Sequence, residues 1–235
     1  MFAVALATMV QSSLESSLPA QYSREYADFA TTLQQTLLSN YNTNVPPKTL
    51  SRTPGNVAAS EAGTDVKIQM RVFKVSSIEA ANGRMSIKVW LRHSWQDTRL
   101  AWNESEHGGI SMIALSTDMP QQIWIPDLQP YNSLNPISDT LAKEVANVYS
   151  DGSIFWSRAG MIDIMCKFSG LVAFPYDNLQ CALEVGGWSW SGSHQGIEPF
   201  EAGASTFSNQ EATAGASYTE YTIKEITAEP VICAL

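Results

Sequence analysis

An alternation of apolar and polar residues on both sides of an Asn-Gly dipeptide is the feature that most restricts the fold of this chain. Asn82-Gly83 supplies the left-handed backbone that a tight hairpin turn needs. A period of two places successive side chains on opposite faces of an extended strand. The segment therefore predicts an antiparallel β-hairpin with one buried face. Its alternating apolar residues are Val66, Ile68, Met70, Val72 and Val75 before the turn, then Met85, Ile87, Val89 and Leu91 after it.

The rest of the chain predicts further short strands and a single helix. Apolar residues at spacings of three and four between Tyr22 and Tyr41, followed by Pro46-Pro47, predict one amphipathic helix. Many short strands with one helix favour an all-β, immunoglobulin-like β-sandwich of about ten strands with an N-terminal α-helix. The further strands are predicted at residues 110–116, 121–124, 145–149, 153–156, 161–168, 179–185 and 219–227, with Asp151-Gly152 as a second turn, an exposed connector at 48–65 and a long loop at 191–217.

The charge balance restricts the partners. The 235 residues carry 14 Lys plus Arg against 23 Asp plus Glu, a formal net charge of −9. This excess of acid argues against nucleic acid as a partner and favours cationic ligands. The apolar run at residues 1–10 is shorter than the roughly 20 residues that span a bilayer, so no membrane crossing is predicted within this chain. Residues 1–20 are interpreted as a leader, with a secretory signal as one alternative, and 21–235 as one domain.

Two cysteines, Cys166 and Cys181, stand at the ends of strand-like runs. A disulfide that closes a loop of this length stabilises a fold by about 3 kcal/mol, and two buried free thiols are the alternative. Asn103 begins an Asn-Glu-Ser glycosylation sequon, which agrees with an extracellular protein. Cys233 is then left unpaired.

Aromatic residues suggest a binding site. Most tryptophans on the strands of a sandwich belong to the core. Trp188 differs, because it follows a Gly pair at a strand end, where the chain turns outward. Aromatic rings that converge there would form a box for a quaternary or protonated amine, with each ring worth about 0.5 to 2 kcal/mol.

Several independent motifs, in a fixed order over about 200 residues, resemble the extracellular ligand-binding domain of the Cys-loop receptors, the pentameric ligand-gated ion channels. They are equally similar to the soluble acetylcholine-binding proteins that share this domain. The motifs are the helix from Tyr22, Trp90-Leu-Arg-His-Ser-Trp95, Trp124-Ile-Pro-Asp127 with Tyr131, Tyr149-Ser-Asp-Gly152, the two cysteines with Phe174-Pro175-Tyr176-Asp177 between them, and Gly187-Trp188-Ser189.

The resemblance implies a ligand site between neighbouring subunits of a homopentamer. Tyr131 and Trp188 match the aromatic residues of the principal face, called loops A and B in the family. Trp90 matches the loop D aromatic of the complementary face, and Phe155 with Ser157 fall on its loop E positions. These aromatics resemble the nicotinic type, so the implied ligand is a cationic amine similar to acetylcholine. No cofactor and no enzymatic activity are implied.

The chain also departs from the family pattern. The segment between the two cysteines is one residue longer than usual, with the extra residue before Phe174, so the tip formed by Phe174, Pro175, Tyr176 and Asp177 is expected to be remodelled. Residues 220–227 resemble the strand that leads into loop C, and the final strand is not visible in the sequence. The vicinal cysteine pair of nicotinic α-type subunits is replaced by the single Cys233. An orphan or degenerate member of the family is therefore one alternative.

Rival interpretations have specific weaknesses. Gly187-Trp-Ser189-Trp-Ser191 lacks the second glycine of a hydrolase nucleophile elbow and the helix that should follow it. His93, His107 and His194 lie in separate segments without metal-ligand spacing, and each is interpreted as a surface or hydrogen-bonded histidine. A carbohydrate-binding sandwich would use the exposed tryptophans, but it predicts a monomer.

Overall fold

The computed structural model describes residues 20–48, 63–118, 120–143, 145–168, 179–190, 192 and 194–200. Four predictions lie outside the described residues: the four residues at the tip between the cysteines, the strand at 219–227, Cys233, and residues 1–19 of the leader predicted at 1–20.

The helix α1 spans Ala20–Leu38. Leu33 is fully buried, and Leu37 and Leu38 pack against the core from the same end of the helix. Tyr26 and Phe29, by contrast, are 55% and 45% exposed. The predicted amphipathic helix is confirmed, with its buried stripe confined to the C-terminal half.

A six-stranded sheet forms most of the described fold. Its strands are β1 (Thr64–Glu79), β2 (Arg84–Gln96), β3 (Met112–Leu115), β5 (Ala146–Tyr149), β6 (Ser153–Met165) and β8 (Gln195–Pro199). Their order across the sheet is β3-β5-β6-β2-β1-β8, and all neighbours pair antiparallel except β1 and β8, which are parallel. The predicted all-β fold with an N-terminal helix is confirmed.

The predicted hairpin forms, with a longer turn than the dipeptide alone requires. A single 3₁₀ turn, Ala80–Asn82, joins β1 to β2, and Gly83 then adopts a left-handed conformation with φ of 62°. A Cβ at Gly83 would also lie 2.7 Å from the carbonyl oxygen of Cys166. Glycine is therefore required here for backbone conformation and for space.

The two faces of β2 have different environments. Ile87, Val89, Leu91 and Trp95 point inward and are almost fully buried, whereas the alternate side chains are exposed or half-buried. The inward residues join a continuous core with Trp124, in the loop after β3, and with Trp156 of β6. Burial of one face fixes the register, because a slip of one residue would expose every apolar side chain of the strand.

Two short strands, β4 (Gln129–Pro130) and β7 (Val185–Gly186), form a second antiparallel pair. The single helical turn α2, Ile137–Thr140, follows β4. The disulfide between Cys166 and Cys181, with a Cα–Cα separation of 5.1 Å, is confirmed and joins the end of β6 to the segment before β7.

The structure corrects several predicted boundaries. Residues 121–124 do not form a strand, and within the described part of 179–185 only Val185 belongs to one. The predicted strands at 153–156 and 161–168 are one continuous strand, β6. Strand β8 lies inside the predicted loop at 191–217. The connector predicted at 48–65 overlaps β1, which begins at the buried Thr64. None of the helices among the described residues has the length and apolar character needed to span a bilayer.

Candidate functional site

Trp188 is the most exposed large apolar side chain in the described part of the chain, at 76% of its surface. It follows β7 and lies beside Tyr131, which follows β4 and is 49% exposed. The two ring centroids are 6.3 Å apart and the ring planes are inclined by 50°. The pairing of β4 with β7 therefore brings the two predicted principal-face aromatics together at the surface.

A single carboxylate holds the backbone on which Trp188 stands. Asp127 Oδ2 accepts the backbone N–H groups of Trp188 at 2.8 Å and Trp190 at 3.3 Å, and that of Ser189 between them. The Gln195 side chain pairs with the backbone of Asp127, donating to its carbonyl at 2.5 Å and accepting from its N–H at 3.1 Å. Charge-assisted hydrogen bonds therefore fix the backbone turn that carries the exposed indole.

Tyr131 is positioned from two sides. Its hydroxyl donates to the carbonyl of Gly187 at 2.7 Å, and its backbone N–H donates to the carbonyl of Glu184 at 2.7 Å. A Cβ at Gly186 would overlap the phenol ring, so the tyrosine lies where only glycine leaves room. Asn132 then donates to the carbonyls of Met165 and Ala182, at 3.0 and 2.8 Å, which ties the site to the strand ends at the disulfide.

The predicted complementary-face residues lie on the outward face of the large sheet. Trp90 is on β2, and Phe155 and Ser157 are on the neighbouring β6. All three are half-buried and alternate with buried neighbours. The register pairs Trp90 with Ala159, and Arg92 with Ser157. The structure places the three predicted residues on one surface; their role in ligand binding stays a prediction.

The two groups of residues occupy different regions of one chain. Asn132, next to Tyr131, bonds to Met165 at the end of β6. The path along β6 from Met165 back to Ser157 is on the order of 25 Å in an extended strand. A small ligand therefore cannot touch both groups within a single copy.

Three residues around Trp90 were not identified from the sequence. Phe73 of β1 packs on its ring, with centroids 5.5 Å apart, and Arg71 lies directly opposite it across the strands. The guanidinium of Arg92 lies over the Trp90 ring, 4.9 Å from its centroid. Burial, together with the charge of Arg71, lowers the pKa of Arg92. The outward alternation of β1 identifies Arg71 and Phe73 as candidates, but only side-chain conformation reveals the stacking of Arg92.

Comparison with known proteins agrees with this geometry. Residues 30–231 match the profile of the neurotransmitter-gated ion-channel ligand binding domain. The chain belongs to this family.

Its relatives include acetylcholine receptor subunits from nematodes and vertebrates. The alpha-type subunit acr-16 of Caenorhabditis briggsae is 26% identical over 171 residues, which cover 73% of this chain and 32% of the relative. The alpha-type subunit unc-38 of Caenorhabditis elegans is 25% identical over 71% of this chain and 30% of the relative. The neuronal subunit alpha-6 of Rattus norvegicus is 27% identical over 67% and 29%, respectively. The chain thus spans about a third of the length of these relatives.

The three histidines of this ligand-binding domain have different surroundings. His93 is 1% exposed rather than at the surface, stacked on Trp156 at 5.0 Å between centroids, and burial lowers its pKa to about 3. His194 stacks on Trp190 at 5.0 Å. Among the residues that the structure describes, no three His, Cys, Asp or Glu side chains converge as metal ligands.

The sequon asparagine lies at the surface of the domain. Asn103 is exposed and precedes the 3₁₀ turn Glu104–Glu106. Its side-chain oxygen accepts from the backbone N–H and the hydroxyl of Ser105, at 3.2 and 3.0 Å, and its amide nitrogen donates to Glu106 at 3.1 Å. The accessible asparagine and the sequon serine are therefore already in contact.

Proposed function

We propose that this chain is the extracellular, neurotransmitter-type ligand-binding domain of a pentameric ligand-gated ion channel. In this proposal the domain has no enzymatic activity and forms a homopentamer with five sites between neighbouring copies. Each site would bind a cationic amine between Tyr131 and Trp188 of one copy and Trp90, Phe155 and Ser157 of the next. Glycosylation at Asn103 belongs to the same extracellular proposal.

The observation that carries the proposal is the exposed indole of Trp188 on its immobilised turn. Leaving an indole in water forgoes the favourable burial of a large apolar side chain. The hydrogen bonds from three consecutive N–H groups to Asp127 keep it in this costly position. With the Tyr131 ring 6.3 Å away, the pair presents π faces on which a cationic ligand is stabilised.

The separation of the two faces supports a site between copies. Trp188 and Trp90 belong to surfaces far apart on one chain, which supports a site whose second half comes from a neighbouring copy. A ring of identical copies with head-to-tail contacts brings these two surfaces together at every interface. The relatives named as acetylcholine receptor subunits make an acetylcholine-like amine the first ligand to test. A soluble protein of the acetylcholine-binding type would use the same site.

Titration of acetylcholine against intrinsic tryptophan fluorescence tests the proposal, with light scattering to give the mass of the assembly. We expect a saturable change in fluorescence and a mass five times that of one chain. Trp188→Ala should abolish the change without altering the mass. Trp102, a half-buried tryptophan outside the site, is the control, since Trp102→Phe should retain the binding. A stable monomer with affinity for sugars would instead support a carbohydrate-binding sandwich.

A further inference from the structure

An open groove of about 660 Å³ lies between two turns of the chain. One wall is the 3₁₀ turn Glu104–Glu106 with the residues before it, and the other is the turn that joins β5 to β6. A volume of this size is typical of small-molecule sites. The groove is separate from the proposed amine site, and its lining includes Trp102, Asn103, Glu104, Gly109, Ser150 and Asp151.

Hydrogen bonds join the two walls of the groove. The backbone N–H of Trp102 donates to the carbonyl of Ser150 at 2.9 Å, and the Ser150 hydroxyl donates to Glu104 at 2.5 Å. The indole N–H of Trp102 donates to the carbonyl of Ile110 at 2.7 Å, which fixes the plane of the ring. The indole packs against the core, and its remaining surface lines the groove. The groove therefore contains an aromatic ring in a fixed orientation.

The groups around this ring suit a ligand rich in hydroxyl groups. The ionised carboxylates of Glu104 and Asp151 only accept hydrogen bonds. Among the described residues, neither carboxylate has a cation as an ion-pair partner. A Cβ at Gly109 would meet no atom within 4 Å, so the space beside the turn is open. A pyranose ring fits these surroundings, because its C–H face is apolar and its hydroxyl groups donate hydrogen bonds.

The sequon asparagine lines the same groove. Oδ1 of Asn103 accepts from the backbone N–H and the hydroxyl of Ser105, and one N–H of Nδ2 donates to Glu106. These bonds hold the side chain in one orientation, and the second N–H of Nδ2 is the one that a sugar would replace. A sugar bonded there starts beside Trp102, the preceding residue. Because the sugar is tethered, contacts too weak for a free ligand are sufficient to hold it.

We propose that this groove is the docking site of the first N-acetylglucosamine of an N-linked glycan at Asn103, which stacks on Trp102 and donates hydrogen bonds to Glu104 and Asp151. The inference rests on the proposed function, because an extracellular domain meets the enzyme that attaches such glycans. In that transfer, Nδ2 forms a bond to C1 of the sugar and loses one proton. The bond from C1 to a lipid-linked pyrophosphate donor breaks, and the pyrophosphate leaves with the electron pair. The docked sugar then ties the two turns together.

The full chain, secreted from cells that make only high-mannose glycans, tests this, since Asn103 begins the only sequon of the sequence. Endoglycosidase H removes all of such a glycan except the first N-acetylglucosamine. The trimmed chain should melt roughly 2 to 4 °C above the same chain made with glycosylation blocked by tunicamycin. Hydrogen exchange of the backbone amides at residues 103–109 and 149–153 should also be slower in the trimmed chain.

Trp102→Leu should abolish this difference in melting temperature between the trimmed and the unglycosylated chain. Asp151→Asn, at an exposed position, should reduce the difference, and it provides the same test if Trp102→Leu does not fold. Tyr26→Leu is the matched control, because it removes an exposed aromatic residue of α1 outside the groove and should preserve the difference.

A glycan at Asn103 that changes neither melting nor hydrogen exchange overturns the inference, because such a glycan extends into solvent. A difference that survives both groove variants also overturns it, as does the absence of the glycan from the secreted chain. Each of these results leaves amine binding at Trp188 intact. Failure of the amine to bind a chain whose sugar is docked overturns the proposed ligand and leaves the groove assigned.

Discussion

The carboxylate of Asp127 accepts a hydrogen bond from the backbone N–H of Trp188 at 2.8 Å. The last residue of the Trp-Ile-Pro-Asp motif therefore sets the position of the exposed indole. The two residues are 61 positions apart in the chain. They meet because β4 and β7 pair and bring the two loops together. In the proposed site Asp127 is therefore a positioning residue, which acts through Trp188 rather than by touching a ligand.

Asp127→Ala should weaken ligand binding by about tenfold or more, since loss of hydrogen bonds to a charged acceptor is worth roughly 1.5 to 3 kcal/mol. Asp127→Asn should have a smaller effect, because the amide oxygen still accepts N–H groups without the charge. Fluorescence titration with acetylcholine measures both. Asp139→Asn removes a charge from an exposed position on α2 and serves as the control. Equal binding by all three variants would contradict the positioning role.

Tyr41→Phe should lower the free energy of unfolding by about 1 to 3 kcal/mol. The Tyr41 hydroxyl donates to Asp97 at 2.6 Å and accepts from the backbone N–H of Trp124 at 3.1 Å and from Arg99 at 2.9 Å. Asp97 is completely buried, and removal of one partner leaves its charge less well satisfied. Burial and the neighbouring Asp97 carboxylate also raise the pKa of Tyr41. Urea denaturation measures the loss, and an unchanged midpoint would show that the Tyr41 hydroxyl contributes nothing to stability.

The stability of the domain should fall as the pH falls from about 6.5 towards 3, because of His93. Burial, followed by the charge of Arg158, lowers the pKa of His93 in the folded state to about 3, whereas an unfolded chain binds the proton near pH 6.5. The unfolded state therefore binds more protons in this window, and the contribution is fully retained above it. The slope is at most about 1.4 kcal/mol per pH unit.

His93→Met should flatten this part of the pH profile, because methionine fills a similar buried space without titrating. Urea denaturation at pH 7.5 and pH 5 gives the comparison. His107→Gln, at a half-buried histidine outside the core, should keep the slope of the parent chain. Parallel profiles for the parent and His93→Met would rule out His93 as the source.

Replacement of the disulfide by Cys166→Ser with Cys181→Ser should lower the free energy of unfolding by about 3 kcal/mol, since the bond restricts a closed loop in the unfolded chain. Thermal unfolding with and without reductant provides the test. The double variant should become insensitive to reductant. A parent chain whose melting temperature is also insensitive would contradict a stabilising role.

Local sequence signals predicted the elements that depend on local chemistry. The hairpin at Asn82-Gly83 and the turn at Asp151-Gly152 form because glycine adopts positive φ there, at 62° and 81°. Strand β8 was not predicted, because Gly196 and Pro199 are poor strand formers. Its pairing with β1 is also a non-local, parallel contact that the local sequence does not indicate. The strands predicted at 153–156 and 161–168 are one strand, β6, which runs through Gly160, where the absence of a Cβ leaves room for Leu141 and Thr140.

Only part of the candidate site could be predicted from the sequence. Tyr131 and Trp188 carry recognisable motifs, so their proximity followed from the resemblance. The position of Arg92 over Trp90 depends on a side-chain conformation that no residue pattern encodes. Asp127 stands in a motif that was recognised, but its hydrogen bonds to the Trp188 turn depend on the pairing of β4 with β7.

The central claim is that the ligand binds between Trp188 of one copy and Trp90 of the next, and a mixing experiment tests it most directly. Trp188→Ala and Trp90→Ala chains, each inactive alone, are refolded together in equal amounts and titrated with acetylcholine. Head-to-tail assembly places an intact Trp188 face against an intact Trp90 face at about a quarter of the interfaces. We predict recovery of about one quarter of the parent's binding sites, and recovery of none would contradict a site shared between copies.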